Sequence, residues 1–516
     1  MTEQKDSGGW WALKALQMVR RVLPRADLPG AKQATPLNLN RYVLLLLYIL
    51  QTFMTGCVYF GWAPLSAMLL KAGVFSFKCT PDGKGGFVDD QRQQGNNYIC
   101  DQQDASVQSL FVITLATHCT MSAVAGAMMD TLGPKITSMI GQCFNITAWC
   151  LISTLNADSR VRAYMGFICM GLGADTAFLP TLLITRLFPG SAATIITLMG
   201  SASSASFAIP LILNTYIADG GISGCWWYVG FGPCLFLVVD ALVMPLKPFI
   251  AFDDGLGEGQ ILEMSDHSVA EKYPPLSEQE TGDSDAESLA PIETKGQQEP
   301  DEPHEAQLNH PFLRTMFSEK YILIVVYFVA VGCITAFYQE AHDRILVPAA
   351  EDFLGSALPF SFIPCIILGK LSESIGILAV MGIVNTAGVL AYVFSLKQTL
   401  AMGIFSVLCF TVYMALFVSQ VFVYIEENFP AKFFGRLIGI VQMVGGLLSL
   451  LCSPLFHLTV GLGERELYIV QLPIIGLLLS MYAVLIRMFF IRTRPLVLRT
   501  AIDQNGGSSD SAVQDP

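Results

Sequence analysis

The residues with chemistry to offer lie inside apolar stretches. Asp175 sits midway along one of them, in GLGADTAFLP. A carboxylate there is expensive to hold, and ionisable groups at membrane depth commonly mark a substrate or ion path. Its chemistry would be recognition of a cation through charge-assisted hydrogen bonds. Asp240, deep in another apolar stretch, reads as structural. His118 stands among small residues and reads as a packed histidine rather than a proton carrier.

Smaller polar groups complete a set of candidate ligand contacts: Asp175, Thr55, Tyr59, Ser201, Ser204, Gln339, Gln420 and Gln442. Thr55 directly precedes Gly56, and Tyr59 falls between Gly56 and Gly61, where a broken helix could bring backbone close to a ligand. Ser201 and Ser204 belong to a serine-rich run that also suits close helix packing. No GxxxxGK[ST] loop and no His/Cys metal spacing is present, so no enzyme activity, cofactor or metal is expected. No nucleic-acid partner is expected either.

A second motif concerns motion. GAMMDTLGPK, Gly126 to Lys135, puts an acid, a helix-breaking Gly-Pro pair and a base into one tight turn. GKLSESIG, Gly369 to Gly376, repeats it 243 residues later. The glycines and the acid fall at matching offsets: Gly126, Asp130 and Gly133 against Gly369, Glu373 and Gly376. Phe188-Pro189 and Phe429-Pro430 repeat at 241 residues. Two motif pairs at nearly one spacing imply a duplicated unit. With Lys135, these residues are the expected gating motif.

The elements that carry these groups follow from composition. The 516 residues are 53% hydrophobic and 14% charged, well below the charge of soluble domains. Apolar runs near 20 residues match the hydrocarbon thickness, and lipid forces them to be helical. The expected spans are 42–67, 106–129, 134–155, 161–186, 191–217 and 224–246, then 320–339, 355–372, 377–396, 400–424, 433–456 and 468–490. This predicts an all-α membrane protein of twelve transmembrane helices in two pseudo-symmetric six-helix bundles.

The domains are then a 1–41 cytosolic segment, a 42–247 bundle, a 248–318 linker, a 319–492 bundle and a 493–516 cytosolic tail. The linker is acidic and rich in Pro, Ser and Gly, a composition that stays disordered. Within the first segment, Trp10 to Leu23 could lie as a basic amphipathic helix on a membrane surface or remain a frayed tail. No cleavable signal peptide is recognisable. Of the 30 Lys and Arg residues, about 21 fall on the side of the termini and linker, which places that side in the cytosol. The loop holding Cys79 and Cys100 then faces outward, and a disulfide between them is expected. The Asn145 glycosylation sequon lies inside a span and is discounted.

GAMMDTLGPK resembles the signature turn between helices 2 and 3 of the major facilitator superfamily. Gly126, Asp130, Gly133 and Lys135 match, while Pro134 replaces a more usual basic residue. The Gly-Pro variant is similar to the system-L amino-acid transporters 3 and 4. So are Gly61-Trp62 at the close of the first span and LMGSASSASFAIP, Leu198 to Pro210. The apicomplexan amino-acid transporters are similar at the same positions. The superfamily resemblance covers nearly the whole chain, and the subgroup resemblance mainly its first half.

The resemblance implies alternating access around a central site lined by helices 1, 4, 7 and 10, with an amino acid as substrate and the lipid bilayer as surroundings. An acid at Asp175, unusual for the system-L subgroup, favours arginine or lysine; large neutral or aromatic amino acids are the alternative. A membrane nutrient sensor that binds without translocating is a reading of another class. The plasma membrane is the expected location. Oligomeric state is left open.

Overall fold

The computed structural model describes residues 29–83, 86–88, 90–94, 97–189, 191–216, 222–250, 312–430, 433–460 and 466–506, with backbone only from 492. The Trp10 to Leu23 stretch, residues 251–311 of the linker and residues 507–516 of the tail lie outside the described residues.

The expected helices form. Span 1 is Arg41–Thr55 followed, after a break, by Trp62–Lys71. Span 2 is Asp101–Thr131, span 3 Pro134–Ser153, and span 4 Arg160–Phe178 extended by Leu179–Leu187. Span 5 is Ala192–Ala205 and Ala208–Tyr216. Span 6 runs from Cys225 to Val243 through one widened turn at Gly230–Cys234. Span 7 is Glu319–Glu340, and the short helix His342–Ile345 joins it to span 8, which runs from Pro348 to Ile375. Span 9 is Ile377–Ser395 and span 10 is Leu400–Ala415 and Ser419–Asn428. Span 11 is Phe434–Ser449 and Cys452–Val460, and span 12 begins at Tyr468.

Among the described residues, eleven helices are long and apolar enough to cross a membrane, and the divided span 1 makes the twelfth. The chain is a multi-pass membrane protein. Two boundaries differ most from expectation. Span 8 starts at Pro348 rather than near 355, because Pro at the first helical position is pre-set for a helix and Glu351 is tolerated at the bundle end. The last helix continues to Gly506, through a stretch read from sequence as tail.

The duplication is visible in the backbone. Gly133 and Gly376, the matched glycines before spans 3 and 9, have φ +85° and +86°. Only glycine enters that region freely. A Cβ on Gly133 would also lie 2.3 Å from the Leu246 carbonyl oxygen.

The halves meet through small residues. A Cβ on Gly439 of span 11 would sit 2.6 Å from Ala123 Cα, and one on Gly446 2.2 Å from Cys119 Cβ. A Cβ on Gly369 of span 8 would sit 1.9 Å from Thr197 Cγ2 of span 5. Such close backbone approach is the usual way helices adhere in lipid. At the end carrying the Cys79–Cys100 disulfide, here the loop end, Gly355 stands against Pro64 and Arg344 pairs with Asp104. The opposite end carries Asp130 and is the motif end. The halves touch at both ends.

Candidate functional site

Three helix breaks converge between the halves. Span 1 unwinds from Gly56 to Gly61, span 5 between Ala205 and Ala208, and span 10 from Leu416 to Val418. Gly61 passes so close to span 5 that a Cβ would lie 2.4 Å from the Phe207 oxygen. Unwound backbone at membrane depth survives only where protein or a cavity satisfies it. Here Gln339 donates its amide to the Phe60 oxygen at 3.1 Å, and the Tyr228 hydroxyl donates to the Met54 oxygen.

The breaks border a cavity of about 40 Å³, room for a few waters. Cys57 and Phe60 of span 1, His118 of span 2, Asp175 and Phe178 of span 4, and Ser203 and Ser204 of span 5 line one wall. Phe417, Ser419 and Phe422 of span 10 line the other. The small volume shows that the two walls stand close together.

Asp175 is the organising group. It is 2% exposed, and both carboxylate oxygens are engaged. Oδ2 accepts from Gln442 Nε2 at 3.0 Å, and the same amide reaches Ser122 Oγ at 2.7 Å. Oδ1 lies 2.8 Å from His118 Nε2, off the N–H axis, so the contact is electrostatic more than a formed hydrogen bond. His118 Nδ1 meets the Tyr59 hydroxyl at 2.6 Å. With Tyr59 donating, the ring proton sits on Nε2, the nitrogen facing Asp175. His118 is thus packed and partnered, as expected, and it also supports the acid.

The remaining sequence candidates divide. Ser204 borders the cavity, and Tyr59 and Gln442 reach it through His118 and Asp175. Thr55 accepts from Gln142 at 3.1 Å and donates to the Gln51 oxygen, away from the lining. Ser201 bonds back to the Thr197 oxygen within its own helix. Gln339 ties down Phe60, and Gln420 accepts from Tyr327 at 3.4 Å. Asp240 accepts from Ser138 at 2.7 Å and Gln51 at 3.1 Å, a structural clasp inside the first half. Cys57, Phe60 and the span 10 phenylalanines Phe417 and Phe422 were missed. Gly56 and Gly61 signal the first break, whereas LFVSQ at the third carries no glycine or proline to signal it.

At the motif end, Asp130 Oδ2 lies 3.9 Å from Arg436 Nε, across the halves, with both side chains more than half exposed. The base is Arg436 of span 11, and Lys135 is not in the pair. Gly126 faces the Gly435 oxygen across the same seam. The Glu373 side chain lies outside the described residues.

The profile described as the Major Facilitator Superfamily matches residues 45–453. The chain is 43% identical over 478 residues to Amino acid transporter 6-1 of Toxoplasma gondii, covering 92% of this chain and 83% of that protein. It is 36% identical over 503 residues to Arginine transporter 1 of Toxoplasma gondii, covering 92% and 93%. Among solved structures, the human organic anion transporter MFSD10 (TETRAN) superposes with a TM-score of 0.52 at 14% identity, covering 86% of this chain and 99% of that one. That likeness concerns the fold. With its paired glycine turns, its six and six spans, and a profile match across both halves, the chain belongs to the Major Facilitator Superfamily.

Proposed function

We propose that this protein is a secondary transporter that moves cationic amino acids, arginine or lysine, across a membrane by alternating access. The observation that carries the reading is Asp175, a buried carboxylate on a central cavity walled by both halves. A guanidinium or ammonium group reaching it would exchange hydration for charge-assisted hydrogen bonds. The Gln442 amide that now caps Asp175 comes from the other half and would yield to the substrate. Arginine transport by a relative of 36% identity supports the same reading.

The motif end is taken as cytosolic and the loop end as external, in line with the Lys and Arg asymmetry and the disulfide. The gating role falls to the Asp130 and Arg436 pair and to the packed glycines. The plasma membrane is the proposed location. A second reading, large neutral or aromatic amino acids, draws support from the phenylalanines on the cavity: Phe60, Phe178, Phe207, Phe417 and Phe422. Uptake of labelled arginine competed by a panel of amino acids separates the two. Inhibition by lysine and ornithine is expected; inhibition by aromatic amino acids alone would favour the second. Saturable binding without flux in proteoliposomes would favour a sensor.

A further inference from the structure

The loop end holds more carboxyl groups than its closure uses. Arg344, on the short helix between spans 7 and 8, donates from Nη2 to Asp104 Oδ2 at 2.9 Å and to Asp101 Oδ1 at 3.1 Å. Asp104 belongs to the other half and is fully buried. Tyr98 and Phe456 flank the guanidinium, with ring centroids 5.9 and 5.7 Å from its carbon. Aromatic faces beside a buried acid make a binding site for a cation.

Two further carboxylates stand beside this pair. Glu340 is 0% exposed, and neither of its oxygens has a partner among the described residues. Both oxygens of Asp343 are also unpartnered, and both residues lie within electrostatic reach of Asp104. His342, the nearest other cationic group, is taken by Glu351 at 3.5 Å. Asp101, Asp104 and Asp343 therefore share one guanidinium, whose own Nε is unpartnered among the described residues, and Glu340 stands near Asp104 with neither oxygen hydrogen-bonded. A buried carboxylate without a partner is costly, and structures keep such groups where a ligand arrives.

The position suits a stop on the way in. A surface cavity of about 470 Å³ opens at Asp101 and His457, next to Arg344 and Phe456. Asp104 lies fourteen residues before His118 on span 2, about 21 Å nearer the loop end. Gln339, adjacent to Glu340, touches Phe60 on the wall of the central cavity.

We propose that Asp104, Glu340 and Asp343 form a second cation site at the loop end, for a guanidinium or primary ammonium group. Arg344 fills this site while the end is closed. An incoming cationic amino acid takes its place on Asp104, which separates the halves at this end and passes the ligand toward Asp175. The identity of the visitor rests on the cationic reading above; the site itself rests on Glu340.

The test is calorimetric titration of arginine into the purified full-length protein, with Asp175→Asn introduced to silence the central cavity. Asp175→Asn keeps a weak arginine site. Adding Arg344→Gln tightens it by about tenfold, because an internal competitor is gone, and adding Glu340→Gln or Asp343→Asn weakens it by about tenfold, one charge-assisted hydrogen bond in each case. Citrulline, of the same shape without the charge, does not bind. No arginine binding to the Asp175→Asn protein, equal binding of citrulline, or indifference to both acid substitutions would overturn the site. Loss of arginine flux in the wild-type protein with this binding intact would sink the transport reading and leave the site standing.

Discussion

Gln442 of the second half donates to Asp175 of the first at 3.0 Å, deep in the centre of the protein. The contact joins the two bundles at the level of the cavity. It must break whenever the halves part, so the acid proposed to anchor the ligand also ties the two halves together. His118 holds the same carboxylate from the other side.

Gln442→Ala removes the cap without touching the acid. It leaves Ser122 and Asp175 free to take water or substrate. The expected outcome is a lower KM for arginine by roughly tenfold or more, with the maximal rate held or raised, because one hydrogen bond to a charged group contributes about 1.5–3 kcal/mol. Initial-rate uptake in proteoliposomes measures this.

Tyr59→Phe deletes the hydroxyl that meets His118 at 2.6 Å. The ring then loses its tautomer-fixing partner, and Asp175 loses part of its support. Arginine kcat/KM should fall by roughly three- to tenfold, the effect of one hydrogen bond, with normal amounts of protein in the membrane. An unchanged kcat/KM would show that His118 is held by packing alone.

Gly439→Val places side-chain atoms where a Cβ already meets Ala123 Cα at 2.6 Å. The clash is with backbone and cannot be relieved by a rotamer. The motif end should be held apart, with uptake strongly reduced. The same substitution at Gly435, where a Cβ meets nothing within 4 Å, should be mild.

Asp130→Asn tests the motif itself. Its partner Arg436 is 3.9 Å away and both are exposed, a geometry that contributes up to about 1 kcal/mol. Uptake should therefore drop by up to about fivefold, not vanish, and raising salt should reproduce part of the loss in the wild type.

Much of this was readable in the chain. Twelve spans follow from apolar run length, and the matched glycines at Gly133 and Gly376 announced the duplication that their φ angles display. Asp175 stands out in the sequence because an acid inside an apolar run is costly, but the same signal marks Asp240, which is a structural clasp. The partnerships were not readable. His118 and Asp175 are 57 residues apart, and Gln442 lies in the other half, so only three-dimensional packing brings them together. Arg344 and Asp104 sit at the ends of apolar runs, where charges are ordinary, and nothing in the sequence distinguishes them from solvated caps. The break in span 10 is imposed by tertiary packing and carries no helix-breaking residue.

His342 gives a pH dependence at the loop end. Burial lowers its affinity for a proton, but Glu351 and Asp343 outweigh burial and push the pKa from 6.5 up to about 9. A raised folded-state value means the contribution is complete below about 6.5 and is lost as pH rises through about 9. The melting temperature should fall across that window, and His342→Gln should flatten the slope.

The central claim is that Asp175 makes this a carrier of cationic amino acids. Counterflow of labelled arginine in proteoliposomes, comparing the wild type with Asp175→Asn, tests it most directly. Arginine flux inhibited by lysine, and reduced by roughly ten- to hundredfold in Asp175→Asn, is the predicted result. Undiminished arginine flux in Asp175→Asn, or wild-type flux that no cationic amino acid inhibits, would contradict it.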